Sequence, residues 1–380
     1  MAEKGVLDGL IVVSLEQAVA APYTSARLAD AGARVIKVER PEGDFARNYD
    51  RLAGGEASYF VWLNRGKESI ALDLRDANDM AVMRHMLAQA DVFIQNLAQG
   101  AIDRLGLDDA TLAGLNPRMI RCNISGYGPD GPYRERKAYD MLVQAESGLA
   151  SVTGTADTPA RVGISVCDIA TGHVAYTGIL EALIARGITG QGRRLDVAMF
   201  DVMADWMAVP LLQAEGSGRD PARFGLYHAS IAPYGVYPCG DGREIVIAVQ
   251  NPREWRVFCD KVLGDAALAD DPRFNDPSGR VANRAQLDPL IARALGAQPR
   301  DAVAAQLDGA RIAYALLNTA GDLGQHPQLR RVGVQTPSGT VSLPSPPVRA
   351  GAPEETRTPA PLGPVPALDE HGPALRKEFG

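Results

Sequence analysis

The chain has 380 residues, a formal net charge of -7 and 46% hydrophobic residues. That length exceeds what one hydrophobic core usually organises and implies two domains. The acidic balance excludes a general nucleic-acid or membrane surface but leaves room for a local basic site for a small anion. No apolar run is long enough to span a bilayer, and Met1-Ala-Glu-Lys leading into Gly5-Val-Leu-Asp-Gly does not read as a secretory signal. Cys122, Cys167, Cys239 and Cys259 lack CxxC or metal-ligand spacing, so free thiols in a reducing cytoplasm are expected.

In chain order, the apolar run at 10–15 predicts a buried strand, 23–31 a helix, and 33–38 the next strand after a stop at Gly32. Strands are then expected at 69–74, 91–94 and 119–124, with helices at 76–89, 101–106 and 109–115. Such alternation implies a parallel sheet with helices on both faces. Ligands sit beyond the carboxyl ends of the strands in open sheets of this kind, here the loops 16–22, 39–43, 96–100 and 125–131. Gly126-Tyr-Gly128-Pro-Asp-Gly131 spells GxGxxG, but Pro129 and the polar run after it open no apolar helix. A dinucleotide fingerprint requires that helix, so the stretch reads as a loop and a nicotinamide enzyme is not expected.

Ala175, Ile179, Leu180, Leu183 and Ile184 recur at helical spacing and predict a helix over 169–186 that stops near Gly187. Asp168 then stands at a helix N-terminus, where unpaired N–H groups and the helix dipole favour an ionised carboxylate at pH 7. On spacing alone, a plain N-cap is the simpler account of this residue. A strand follows at 194–197, then a helix at 200–213 with the stripe Val202, Trp206, Val209 and Leu212, and a polar linker at 216–225. A second unit has a strand at 244–249 and helices at 254–263, 283–295 and 300–307. The proline-dense tail at 344–366 reads as an extended strap.

Nearly end to end, the chain resembles the family III CoA-transferases. The resemblance is carried by Leu7-x-Gly9 leading to Ala21-Pro22, Gly32-Ala-x-Val-Ile-Lys-Val-Glu39-Arg40-Pro, Asn64-Arg-x-Lys67-x-Ser-Ile and Asp91-Val-x-x-x-Asn96. It continues through Leu105-Gly106, Gly126-Tyr-Gly128, Ala138-Tyr-Asp140, Ser147-Gly148, the Asp168 stretch, Thr189-Gly-Gln-Gly192 and Asp196-Val-Ala-Met199-x-Asp201. The resemblance implies that Asp168 is a covalent nucleophile that passes through a mixed anhydride and an aspartyl-CoA thioester. It places CoA contacts on Ala18, Arg40, Leu72, Arg75, Asn96, Leu97, Ala101, Arg104, Lys137 and Tyr139. It implies no permanently bound cofactor and no metal: coenzyme A enters as a substrate moiety, and the partners are acyl-CoA and free carboxylic acids.

The expected fold is α/β, with a large Rossmann-like domain over 1–205, a linker over 206–225, a small α/β domain over 226–325, and a segment over 326–380 that returns to the large domain. The resemblance implies that two chains interlock as a homodimer, and a cytoplasmic location is expected. Val19 and the segment Tyr227 to Tyr234 differ from the formyl-CoA and oxalate branch, which disfavours formate and oxalate. They favour succinyl-CoA as donor and C4 to C6 dicarboxylates of mesaconate, itaconate, citramalate or glutarate type, with transfer within one mesaconyl unit also open. Arg47 and His228 are candidate ligands for the substrate carboxylate. Two other readings stand beside this one. An α-methylacyl-CoA racemase would need a histidine where Tyr139 stands, and a non-catalytic acyl-CoA carrier would leave Asp168 as a cap.

Overall fold

A computed structural model describes residues 5–349, 351, 358–359 and 361–380. The chain divides into two compact units, one formed by Met1–Leu149, Arg161–Leu212 and Arg330–Gly380, the other by Ala150–Ala160 and Gln213–Leu329. The proline-dense stretch at 344–366 lies partly outside the described residues.

Among the described residues, the first unit is built on six parallel strands: β1 Ile11–Leu15, β2 Arg34–Glu39, β3 Lys67–Ala71, β4 Val92–Gln95, β5 Ile120–Ser125 and β6 Arg194–Ala198. Their order is β3-β2-β1-β4-β5-β6. The order reverses between β1 and β4, which opens a crevice at the carboxyl ends of these strands. The connecting helices are α1 Ala20–Asp30, α2 Ser58–Asn64, α3 Ala77–Gln89, α4 Ala101–Arg104, α5 Asp109–Leu115, α6 Asp140–Glu146 and α8 Val166–Thr189, while most of α7 Leu149–Val152 belongs to the second unit.

Alternate strand residues serve opposite faces, as the pleat requires. Val13, Ile36 and Phe93 pack under Met83, Met86 and Leu87 of α3. Val12, Val35 and Ile94 pack under Leu28 of α1 and Ala175, Ile179 and Ala182 of α8. Because both faces are covered, the strands read as continuous apolar runs.

Several predicted bounds shift. β3 begins two residues before the expected 69–74, because Lys67 pairs with Val35 of β2. The helix expected over 169–186 is α8, a turn longer at its C-terminal end. Gly187 lies inside it, and it ends where Gly190 takes the left-handed φ of 74° and returns its N–H to Arg186. The single helix expected over 200–213 is two, α9 Met199–Trp206 and α10 Ala208–Ser217. Pro210 has no N–H for the Trp206 carbonyl, and its ring crowds that carbonyl, so the helix breaks at Met207. The expected stripe divides accordingly: Val202 is buried, whereas Trp206, Val209 and Leu212 are exposed.

In the second unit β7 Tyr234–Pro238, β8 Glu244–Ala248 and β9 Ala313–Leu316 form an antiparallel sheet in that order. The predicted helix at 254–263 is α11 Pro252–Phe258 followed by a π-helical turn at Cys259–Leu263. Helices α12 Pro277–Ala282, α13 Arg284–Leu295, α14 Arg300–Ala310 and α15 Ala320–Leu323 complete the unit around Trp255, Phe258, Phe274, Leu287 and Ile291.

The first unit resumes with the hairpin β10 Arg331–Thr336 and β11 Gly339–Pro344 and ends in α16 Gly372–Phe379. Leu375 and Phe379 of α16 enter the core beside α3. Asp369 and His371 accept the N–H groups of Ala71 and Ser69, which covers the edge of β3.

Candidate active site

The first turn of α8 has no cap of its own, since Ser165 at the N-cap makes no side-chain capping bond. Asp140, at the start of α6, supplies it from 28 residues away: its Oδ1 accepts the N–H of Cys167 at 2.8 Å and of Asp168 at 3.4 Å. Oδ2 of Asp140 accepts Nε2 of Gln144 at 2.7 Å, and Oε1 of Gln144 accepts the N–H of Val162 at 2.8 Å. Asp168 is therefore relieved of capping, and its carboxyl lines a cleft of about 380 Å³.

Burial, and then the neighbouring Asp140 carboxylate, push Asp168 up to about 7. This corrects the expectation of a fully ionised carboxylate at neutral pH. The positive end of α8 is taken up by Asp140, while removal from water penalises the charge on Asp168. Cys167 next to it is a poor nucleophile, because burial and the two aspartates push its thiol up to about 12. As expected, all four cysteines are free; all are buried.

The turn after β1 lines the same cleft as Asp168. Ala18 takes a left-handed φ of 65°, unusual for a residue with a Cβ. Three hydrogen bonds hold it there. The amide of Asn96 accepts the N–H of Gln17 at 3.0 Å and donates to its carbonyl at 2.8 Å, and Asp44 accepts the N–H of Ala18 at 3.3 Å.

A buried charge network lies beneath this turn. Lys37 donates to Asp44 at 2.9 Å, and Lys67 to Glu16 at 2.6 Å, while Ser14 and Ser25 also donate to Glu16. Burial works against the charge on Glu16, but Lys67 and Lys37 outweigh it and hold the carboxyl below its ordinary range. Burial lowers Lys67 to about 8 despite Glu16. Tyr59 and Ser165 share a hydrogen bond of 2.9 Å on the cleft wall, and Tyr49, edge-on to Tyr59, is pushed up to about 12 by burial and the nearby acids.

Of the residues singled out in the sequence, Ala18, Asn96, Leu97, Tyr139 and Asp168 line this one cleft. Arg40, Arg104 and Lys137 are exposed side chains outside its wall, Leu72 is buried beside the end of β2, and Ala101 opens α4. Arg75 is exposed and paired with Asp73 at 2.8 Å. The guanidinium of Arg47 is committed: it bonds both oxygens of Glu39, at 2.9 and 2.7 Å, and lies 3.9 Å from the centre of the Phe60 ring. His228, in the second unit, stacks on Tyr234 at 5.1 Å and accepts the N–H of Ser230.

Three of the four predicted ligand loops reach the cleft, and 39–43 does not. The GxGxxG stretch forms turns without a helix, as its proline implied. Sequence reasoning missed Asp140 as the cap and Arg134, Arg136 and Arg161 on the wall; the basic run 134–137 was the available signal for the first two. Among the described residues, no group of three or more His, Cys, Asp or Glu is placed to hold a metal.

Known proteins align with this architecture along its length. The family described as CoA-transferase family III matches residues 7–372. Acetyl-CoA:oxalate CoA-transferase of Acetobacter aceti is 38% identical, covering 99% of this chain and 96% of the relative. Succinate–glutarate CoA-transferase of Agrobacterium fabrum is 36% identical over 88% and 86%. The crystal structure of a CAIB/BAIF family protein from Brucella suis is 37% identical and superposes with a TM-score of 0.86, covering 100% of both chains.

Proposed function

The chain belongs to CoA-transferase family III, and from that we propose that it moves CoA from a short dicarboxyl-CoA thioester, such as succinyl-CoA, to a C4 to C6 dicarboxylate through Asp168. The observation that carries the reading is the Asp168 carboxyl itself, freed from capping by Asp140, set on the cleft wall and destabilised as an anion. Such a group gains from sharing its charge with an electrophile. An oxygen of Asp168 attacks the thioester carbonyl, the C–S bond breaks, and CoA leaves as thiolate from the mixed anhydride. The thiolate attacks the aspartyl carbonyl and expels the donor acid, leaving an aspartyl-CoA thioester. The acceptor carboxylate attacks that thioester to form a second anhydride and release the thiolate, which attacks the acyl carbonyl and frees both the new acyl-CoA and Asp168.

The left-handed turn at Ala18 and the arm of Tyr139 flank the path of the thioester, while Asn96 acts chiefly by clamping that turn. Arg134 and Arg136 add positive charge beside Lys137, where CoA phosphates need it. Their exposed ion pairs with Glu135 and Glu146 are cheap to exchange for phosphate. Arg40, Leu72, Arg75, Ala101 and Arg104 remain the proposed nucleotide contacts. Arg47 is better read as the partner of Glu39 than as a substrate ligand; His228 stays a proposed contact for the acyl carboxylate.

The relative named for oxalate keeps that two-carbon diacid in the acceptor screen, despite the expectation drawn from Val19 and the 227–234 segment. An interlocked cytoplasmic homodimer completes the proposal. No helix of the described residues is long and apolar enough to cross a membrane.

Incubation with succinyl-CoA, quenching with hydroxylamine or borohydride, and peptide mapping test the reading. Modification confined to the peptide bearing Asp168 and absent in Asp168→Asn is expected. No adduct with succinyl-CoA, acetyl-CoA or other short acyl-CoA donors, together with solvent deuterium entering the α-carbon of a 2-methylacyl-CoA, replaces the transferase with the racemase.

A further inference from the structure

Three arginines stand on the wall of the Asp168 cleft: Arg134, Arg136 and Arg161. Two are occupied. Arg134 bonds Glu135 at 3.0 Å, and Arg136 bonds Glu146 at 3.2 Å and lies 3.7 Å from the centre of the Tyr133 ring. The side chain of Arg161 has no ion pair, hydrogen bond or ring contact among the described residues.

Its root is nevertheless fixed. The N–H of Val162 donates to Gln144 Oε1 at 2.8 Å, Gln144 Nε2 donates to Asp140 Oδ2 at 2.7 Å, and Asp140 Oδ1 holds the N–H of Cys167. Gln144 is fully buried. A short chain of hydrogen bonds therefore ties the backbone beside Arg161 to the turn that carries Asp168.

The cleft already contains two carboxyl groups, Asp140 and Asp168, whose mutual repulsion helps to push Asp168 up. A diacid brings a further carboxylate that takes no part in the exchange. Lodged there without a cation, it would be desolvated against like charge. A guanidinium meets that need with two parallel N–H···O bonds.

We propose that Arg161 is the receptor for the free carboxylate of the acyl group, the one not joined to sulfur or to Asp168, and so sets selectivity for dicarboxylic over monocarboxylic acids. This rests on the transferase reading above and specifies its substrate pocket.

The test compares acylation of Asp168 by succinyl-CoA and butyryl-CoA, which have acyl chains of four carbons and differ in the distal carboxylate. Single-turnover kcat/KM is measured for the wild type, Arg161→Gln and Arg161→Lys, with the CoA dissociation constant recorded for each. In Arg161→Gln the succinyl-to-butyryl selectivity falls roughly 10- to 100-fold, the scale of a lost charged hydrogen bond. Arg161→Lys recovers part of it, and CoA affinity stays within twofold.

Selectivity within twofold of wild type in Arg161→Gln overturns the assignment, as does a wild type that does not discriminate between the two thioesters. A parallel loss of CoA affinity assigns Arg161 to a phosphate instead and also overturns it. In each of these cases the Asp168 adduct still forms and the transferase reading survives, whereas absence of any adduct in the wild type removes both.

Discussion

Burial and the Asp140 carboxylate push Asp168 up to about 7, so the ionised form that the proposed attack requires is fully populated only on the alkaline side of neutrality. Single-turnover acylation should rise with pH through about 7 and level above it, being about tenfold below the plateau at pH 6. Asp140→Asn removes the like charge but keeps an oxygen for the Cys167 N–H; its acid limb should move to lower pH. An unmoved limb would assign the shift to burial alone.

The same residue links stability to pH. Between its ordinary value of 3.8 and about 7, the folded chain keeps a proton that the unfolded chain has released. The corresponding stabilisation is complete below about 4 and lost as pH rises through 7. Asp168→Asn should therefore unfold at higher urea than wild type at pH 8, by about 1–3 kcal/mol after screening at the open side of the cleft. That gain should fall to under half at pH 5.

At the scale of elements, the position of Asp168 depends on how closely α8 crosses α1. Gly172, one turn further along α8, permits that approach: a Cβ there would lie 2.5 Å from the Ala20 carbonyl oxygen and 3.0 Å from Tyr23 Cβ. Thr24 Oγ1 completes the contact by donating to the Gly172 carbonyl at 3.0 Å. Gly172→Ala should separate the helices, lower stability by about 1–3 kcal/mol, and slow acylation by roughly 100-fold, since small displacements of reacting groups are costly. Urea midpoints and single-turnover rates check the two effects separately. The loss of stability without loss of rate would show that α8 shifts as a rigid rod along the cleft.

At the scale of the whole molecule, Trp206, Val209, Leu211 and Leu212 lie exposed along α9 and α10, each more than half accessible. Clustered apolar exposure of this kind marks an interaction surface, which accords with the proposed homodimer. Sedimentation should give twice the chain mass of 40.4 kDa down to nanomolar concentration. If the chains interlock, tagged and untagged protomers should exchange only after unfolding. A monomer at micromolar concentration would remove the dimer, and rapid exchange would remove the interlocking.

Much of the first unit was legible in the sequence. Its strands are apolar runs punctuated by residues such as Gly32, and its helices repeat at three and four residues; both patterns record neighbours that are close in the chain. The β10–β11 hairpin was not, because its strands are half-polar and lack a long apolar run. Nor were β7 and β9, which complete the small sheet on either side of the one strand that was foreseen.

For the site, the helix start and the ordered motifs singled out Asp168, whereas the basic run 134–137 was read only for Lys137, which lies outside the cleft wall on which Arg134 and Arg136 stand. Three things were decided only by folding: that Asp140 rather than Asp168 caps α8, that Arg47 is spent on Glu39 while Arg161 has no partner among the described residues, and that Asp168 is pushed up to about 7. Periodicity reports what lies two to four residues away. Desolvation and Coulomb interaction act through space, between groups that the chain alone leaves far apart.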